Sequence, residues 1–227
     1  MTSALEKQNA FTMTTVWLDE KTYPGALFEA VRVVKNGGVI VFPTDTVYGI
    51  GGNAIDIKVA RRVVRLKKRP VEKGMIILVH DIAMARKYAY IDLWTEKLLG
   101  DLWPGPVTVV LHKKDAMPDI VSGGEDTIAL RLPKYQFVNE LLKQIDVPLI
   151  ATSANISGDS NQPRDLKKFI AAMEFSGDRP DLVIDAGELQ TLEPSTVLDL
   201  TDRKNPVILR RGVFSKEKLH ELLLGHI

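Results

Sequence analysis

The chain has 227 residues, with 30 Lys plus Arg against 29 Asp plus Glu and no cysteine. A net charge of +1 argues against a protein held on nucleic acid by bulk electrostatics alone. The lack of cysteine excludes disulfides, thiolate metal or iron–sulfur ligation and a cysteine nucleophile, and favours the cytoplasm. With 45% hydrophobic and 26% charged residues, the chain reads as a globular protein able to bury its own core. No apolar run approaches the ~18 residues of a membrane span. The first residues lack the charged-then-apolar pattern of an export signal.

Residues 1–20 read as a frayed or edge extension, and 21–227 as one domain without a convincing linker. Tyr23 to Lys35 has helical spacing and stops at Asn36-Gly37-Gly38. Val39–Phe42 is a short apolar run typical of a buried strand. Asp56 is placed to cap a helix running to about Lys68, which Pro70 ends. Met75–Val79 predicts the next strand, followed by helices near 82–89 and 93–101. Further strands are expected at Val107–Leu111, Ile128–Leu132, Pro148–Thr152, Leu182–Ile184, Thr196–Leu200 and Val207–Arg210. Helices are expected near 135–144, 164–173 and 215–224. Gly123-Gly124 and Ser157–Pro163 read as surface loops. Strands interleaved with helices predict a single α/β domain (α+β type) around a twisted, mixed β-sheet.

Two apolar strands end in small hydroxyl or amide residues. One is Val39–Phe42, which runs into Pro43-Thr44-Asp45-Thr46-Val47-Tyr48-Gly49. The other is Leu149-Ile150-Ala151, which runs into Thr152-Ser153-Ala154-Asn155. Ligands in open α/β sheets bind beyond the carboxyl ends of strands, and such residues suit a small polar ligand. Taken singly, each cluster is also what an ordinary turn contains.

The basic stretch from Arg61 to Lys73 is more informative. At about 100° per residue, Ala60, Val63 and Val64 form an apolar stripe with Lys67 in its middle, while Arg61, Arg65 and Lys68 point away. A lysine on a buried stripe needs a partner or a path to solvent. Arg69 precedes Pro70, so its backbone leaves helical geometry and it can swing toward whatever Lys67 faces. A compact ammonium and a planar guanidinium converging at a helix end fit phosphate or carboxylate. No GxxxxGK[ST] loop is present, and Gly49-Ile50-Gly51-Gly52 does not match a dinucleotide fingerprint. His80, His112, His220 and His226 are scattered, which argues against a histidine-built zinc site or a Ser-His-Asp triad. Trp103-Pro104-Gly105-Pro106 reads as a rigid turn with an aromatic anchor.

Taken in order, these pieces resemble the YrdC family. Phe42 to Gly51 is similar to its opening motif, and Lys67-Lys68-Arg69-Pro70 with Lys73-Gly74 to its K-x-R signature. Trp103 to Thr108 resembles its W-P-G-P-x-T turn, and Ser153-Ala154-Asn155 its S-x-N signature. Ser195-Thr196-Val197-Leu198-Asp199 and Leu209-Arg210-Arg211-Gly212 resemble its two closing motifs. The resemblance covers residues 25–212.

It implies an α/β fold around a deep, positively charged cavity and an L-threonylcarbamoyladenylate synthase in short, catalytic-domain-only form. The implied substrates are L-threonine, bicarbonate and ATP. The products would be threonylcarbamoyl-AMP and pyrophosphate, with a downstream complex transferring the threonylcarbamoyl group to tRNA. By resemblance, Lys67 and Arg69 would hold triphosphate and carboxylate charges, and Ser153 and Asn155 the nucleotide. Thr44, Thr46 and Ser195 would contact the threonine, and Arg131 and Arg210 further phosphate. Mg2+ is expected to be held mainly by ATP phosphates and water, without a dedicated carboxylate cage. Some family members place a histidine in the strand after K-x-R, where this chain reads Met75-Ile76-Ile77-Leu78-Val79, with His80 beyond it. The competing readings are a YrdC-like RNA-binding protein holding phosphates through Arg61–Lys73, with possible direct tRNA contact, and a branch that adenylates another carbamate.

Overall fold

The computed structural model describes residues 13–155, 166–174, 178–191 and 193–226. In chain order the elements begin with β1 (Thr14–Trp17), α1 (Tyr23–Lys35), β2 (Ile40–Phe42), β3 (Gly49–Gly51), α2 (Ile57–Lys67) and β4 (Ile76–Leu78). They continue with α3 (Ile82–Tyr88), α4 (Leu93–Leu102), β5 (Val107–His112), α5 (Asp119–Ser122), β6 (Thr127–Arg131) and α6 (Gln136–Ile145). The last are β7 (Leu149–Ile150), β8 (Thr152–Ser153), α7 (Lys167–Glu174), β9 (Leu182–Asp185), β10 (Thr196–Asp199), β11 (Val207–Arg210) and α8 (Lys216–His226).

The helix ends follow local chemistry. Pro24 opens α1, and the Asn36 side chain donates back to the Arg32 carbonyl at 2.8 Å where α1 stops. The Asp56 carboxylate caps α2 by accepting from the Lys58 and Val59 amides. Lys68 closes α2 in the left-handed region at φ 47°. The buried face of α2 consists of Val59, Ala60, Val63, Leu66 and Lys67, so the apolar stripe includes the lysine. Val64 is only partly buried.

The α/β fold class holds, and hydrogen bonding divides its strands between two mixed sheets. One has the order β1-β9-β2-β3-β8 and the other β11-β10-β5-β6-β4-β7. The stretch expected as one strand from Pro148 to Thr152 serves both sheets. Leu149 and Ile150 pair with β4, and Thr152 and Ser153 pair with β3. The chain therefore crosses between sheets at Ala151 and delivers Ser153 to the space between them. Thr14–Trp17, within the segment read as an extension, pairs in parallel with β9 as an edge strand. Residues 157–163, expected as a loop, and residues 164–165, expected to start the helix near 164–173, lie outside the described residues.

Two apolar clusters support this frame. One joins α1 and α6 to strand residues of both sheets, among them Phe42, Leu78 and Leu149. The other gathers the buried faces of α2, α3 and α4 with Ile50, Val109 and Leu130. At Gly51 the β3 backbone lies close against the crossing strand: a Cβ there would lie 1.7 Å from the Ile150 carbonyl oxygen. Only glycine lets β3 approach the crossing strand at this distance.

Candidate active site

Between the two sheets lies a cavity of about 270 Å³. Thr44, Thr46 and Gly49 line one side, and Thr152 and Ser153 the tip of the crossing strand. Ile76, Leu78, Ala129 and Val197 form an apolar wall, and Arg69, Arg131, Ser195 and Arg210 add polar groups. The volume lies just below the roughly 300–1,000 Å³ of drug-sized clefts and suits compact charged groups.

The arginines define its electrostatics. Arg131, buried on β6, donates Nε to the Gly105 carbonyl at 3.1 Å, Nη1 to Thr46 Oγ1 at 2.9 Å and Nη2 to Asp45 Oδ1 at 2.5 Å. Arg69 donates to the Lys73 and Gly74 carbonyls at 3.1 and 2.6 Å. Arg210 grips Ser195, with Nε and Nη2 donating to its carbonyl at 3.1 and 2.9 Å and Nη2 also to its Oγ at 3.1 Å. Among the described residues, Arg131 alone of these three has a carboxylate partner. Burial lowers the pKa of all three guanidinium groups from their ordinary value. Arg210 is lowered further by Arg131 and Arg69. Arg131 is buried, Arg69 half-buried and Arg210 more exposed, and three guanidinium groups lining one cavity make a local excess of positive charge that an anion would relieve.

The hydroxyls are wired into the same frame. Thr44 Oγ1 donates to the Val47 carbonyl at 2.7 Å and accepts from the Thr46 amide at 3.1 Å. With its proton spent there, Thr44 accepts from Thr46 Oγ1 at 3.0 Å. The Thr44 hydroxyl is thus saturated by its own loop, and using it on a ligand would require opening that wiring. Ser153 Oγ donates to Asn155 Oδ1 at 2.6 Å, which leaves Ser153 lone pairs to accept.

The sequence expects Lys67 and Arg69 to converge at a helix end and, by resemblance, to share a ligand site with Ser153 and Asn155. Arg69 and Ser153 line the cavity, whereas Lys67 and Asn155 stand behind it. Lys67 is 2% exposed, and Nζ donates to the Ser153 carbonyl at 2.5 Å, to Asn155 Oδ1 at 2.8 Å and to the Asn155 carbonyl. It thus holds the shape of the strand tip. Burial, then the neighbouring Arg69, pushes its pKa down to about 7. The three acceptor oxygens favour the charged form against that push.

The rest of the basic stretch is structural or solvated. Arg62 binds Asp181 and the Arg179 carbonyl, and Arg65 pairs with Asp178 at 3.0 Å. Lys68 is exposed, as the helical wheel requires. The apolar strand Ile76–Leu78 contributes Ile76 and Leu78 to the cavity wall, and His80 lies outside it beside Asp81. Asp45, Tyr48 and Thr108 were not singled out individually. Asp45 orients Arg131, Tyr48 lines the wall and donates to the Gly187 carbonyl at 2.7 Å, and Thr108 holds Ser195. Their positions inside the Thr44–Gly49 and Trp103–Thr108 motifs were the available signal.

An arginine-lined cavity between two mixed sheets defines an α/β protein with a candidate site for a small anionic ligand. Its family follows from sequence comparison: the Sua5/YciO/YrdC family profile, described as telomere recombination, matches residues 32–212, and the chain belongs to that family. It is 36% identical over 199 residues to the threonylcarbamoyl-AMP synthase of Pyrococcus abyssi, covering 87% of this chain and 57% of that protein. It is 32% identical over 206 residues to the threonylcarbamoyl-AMP synthase of Bacillus subtilis, covering 88% and 56%. The crystal structure of P. abyssi Sua5 complexed with L-threonine superposes with a TM-score of 0.83 at 31% identity, over 93% of this chain and 60% of that one. The chain thus spans little more than half the length of these relatives. No helix among the described residues is long and apolar enough to cross a membrane.

Proposed function

We propose that the chain is a nucleotidyltransferase, an L-threonylcarbamoyladenylate synthase that converts L-threonine, bicarbonate and ATP to threonylcarbamoyl-AMP and pyrophosphate. The observation that carries this reading is the cavity shared by Arg69, Arg131 and Arg210, with Ser153 and Ser195 beside an apolar wall. Family membership and the names of the relatives support it.

The threonine amine takes up bicarbonate with loss of water and becomes a carbamate. A carbamate oxygen then attacks the α-phosphorus of ATP, and the bond to the bridging oxygen of pyrophosphate breaks in line with that attack. The protein needs no covalent nucleophile; it positions the groups and stabilises charge. Arg69 and Arg210 have donors for phosphate and carboxylate oxygens, and Arg131 is held rigid for the same task. The wall at Ile76, Leu78 and Val197 would accept the threonine methyl group. Lys67 would keep Ser153 and Asn155 in register with the nucleotide.

Magnesium would arrive as part of the MgATP substrate, carried by phosphate oxygens and water. Among the described residues no group of three or more His, Cys, Asp or Glu side chains is placed to hold a metal ion. The threonylcarbamoyl-AMP product would pass to a complex that modifies tRNA in the cytoplasm. Direct RNA binding through Arg61–Lys73 has less support, because Arg62 and Arg65 are engaged by Asp178 and Asp181.

The test is pyrophosphate release by the purified protein with MgATP, omitting L-threonine and bicarbonate in turn. Release that requires both co-substrates is expected. No release with all components present overturns the reading.

A further inference from the structure

Thr108, on β5, and Ser195, immediately before the parallel neighbour β10, face each other at 2.7 Å, Oγ1 to Oγ, and Ser195 lines the cavity. Thr108 is 0% exposed and Ser195 is 2% exposed. Distance alone does not say which hydroxyl donates, but hydrogen-bond accounting does. Thr108 Oγ1 has no other hydrogen-bond partner among the described residues. If Ser195 donated to it, the Thr108 proton would be buried without an acceptor, which is costly for a hydroxyl removed from water. Thr108 therefore donates to Ser195 Oγ. Arg210 Nη2 also donates to that oxygen, at 3.1 Å. The two lone pairs of Ser195 are then filled, and its own proton has no protein acceptor among the described residues. Ser195 lines the cavity, so an acceptor within the cavity is the remaining outlet.

We infer that Thr108 is a positioning residue that makes Ser195 an obligate hydrogen-bond donor to an anionic oxygen, a carboxylate or phosphate, bound beside Arg210. This deepens the synthase reading and rests on it for the identity of the ligands. Thr108 touches no ligand itself. It sets the direction of one proton, so Ser195 discriminates against any group that offers only donors at that point.

The test uses the full chain, with binding of L-threonine and of ATP measured separately by calorimetry for wild type and for Thr108→Val, Thr108→Ser and Ser195→Ala. Thr108→Val keeps the shape and removes the donor, so the Ser195 hydroxyl is no longer held with its proton aimed into the cavity. Thr108→Val should weaken one of the two ligands about tenfold, the value of one hydrogen bond to a charged group. A loss confined to L-threonine assigns the oxygen to the amino-acid carboxylate, and a loss confined to ATP assigns it to a phosphate. Thr108→Ser should restore wild-type affinity. Thr108→Val added to Ser195→Ala should cost nothing further, an outcome a purely structural role would not give. Unchanged affinity in a folded Thr108→Val protein overturns the inference. So does an equal loss for Thr108→Val in the Ser195→Ala background, or wild type binding neither ligand. Because the readout is binding, a wild type that binds these ligands yet releases no pyrophosphate counts against the synthase reading and leaves the hydrogen-bond inference to be judged on affinities.

Discussion

Lys67 Nζ donates to Asn155 Oδ1 at 2.8 Å, across 88 residues of sequence. This bond ties the end of α2 to the tip of the crossing strand. Lys68, the next residue, is exposed. Lys67→Ala should release the tip and misplace Ser153, lowering turnover on the order of a hundredfold, as small displacements at a reacting centre do. Lys68→Ala should stay near wild type in the same pyrophosphate assay. Equal losses in the two variants would contradict the assignment.

The same lysine should leave a mark on stability against pH. Its folded-state pKa of about 7 lies below the ordinary 10.5. Between those values the unfolded chain holds the proton and the folded chain has released it. Stability from this group therefore rises with pH through that window, and below about 7 the folded state bears the full burial cost. Urea denaturation in steps from about pH 6 to pH 9 should show wild type gaining on Lys67→Met as pH rises. A difference that stays flat or shrinks contradicts the shift.

Arg131 is the deepest cation of the cavity, and Asp45 is its carboxylate partner. The two side chains are 5% and 14% exposed, so the pair is largely removed from water. Asp45→Ala leaves the guanidinium buried and uncompensated and should cost about 3–5 kcal/mol of stability. Asp45→Asn keeps an acceptor and should cost less. Chemical denaturation checks both, and a neutral Asp45→Ala would mean that the pair does not hold Arg131.

Two glycines give a paired prediction of opposite sign. Gly51→Ala puts a Cβ 1.7 Å from the Ile150 carbonyl oxygen, forcing β3 away from the crossing strand. A loss on the order of 4 kcal/mol is expected. Gly100 lies within α4 and has nothing within 4 Å of an added Cβ. Gly100→Ala should stabilise by about 0.5–1 kcal/mol. Melting temperatures moving in the same direction would contradict the packing described at Gly51.

The strands with continuous apolar runs were legible in the sequence, as were the helices with clear stops, because burial on both faces leaves a local signature. β3 was not: Gly-Ile-Gly carries no strand propensity, and its pairing with β2 and β8 comes from the partners on either side. The division into two sheets was hidden for a related reason, since one apolar run from Leu149 to Ser153 serves both. At the site, the wheel placed Lys67 on the buried stripe correctly. It could not show that the ammonium is occupied by Ser153 and Asn155 while Arg69 faces the cavity. Arg131 with Thr46 and Asp45, and Thr108 with Ser195, are pairs separated by 85 or more residues. Nothing local encodes which hydroxyl meets which cation.

The central claim is best tested by following the carbon of bicarbonate. Purified protein is incubated with MgATP, L-threonine and isotopically labelled bicarbonate, and the nucleotide products are read by mass spectrometry. The account predicts an AMP adduct that contains threonine and carries the label, formed together with pyrophosphate and absent when threonine is omitted. An adenylate without the label, or no adduct at all from protein that binds ATP, would contradict it.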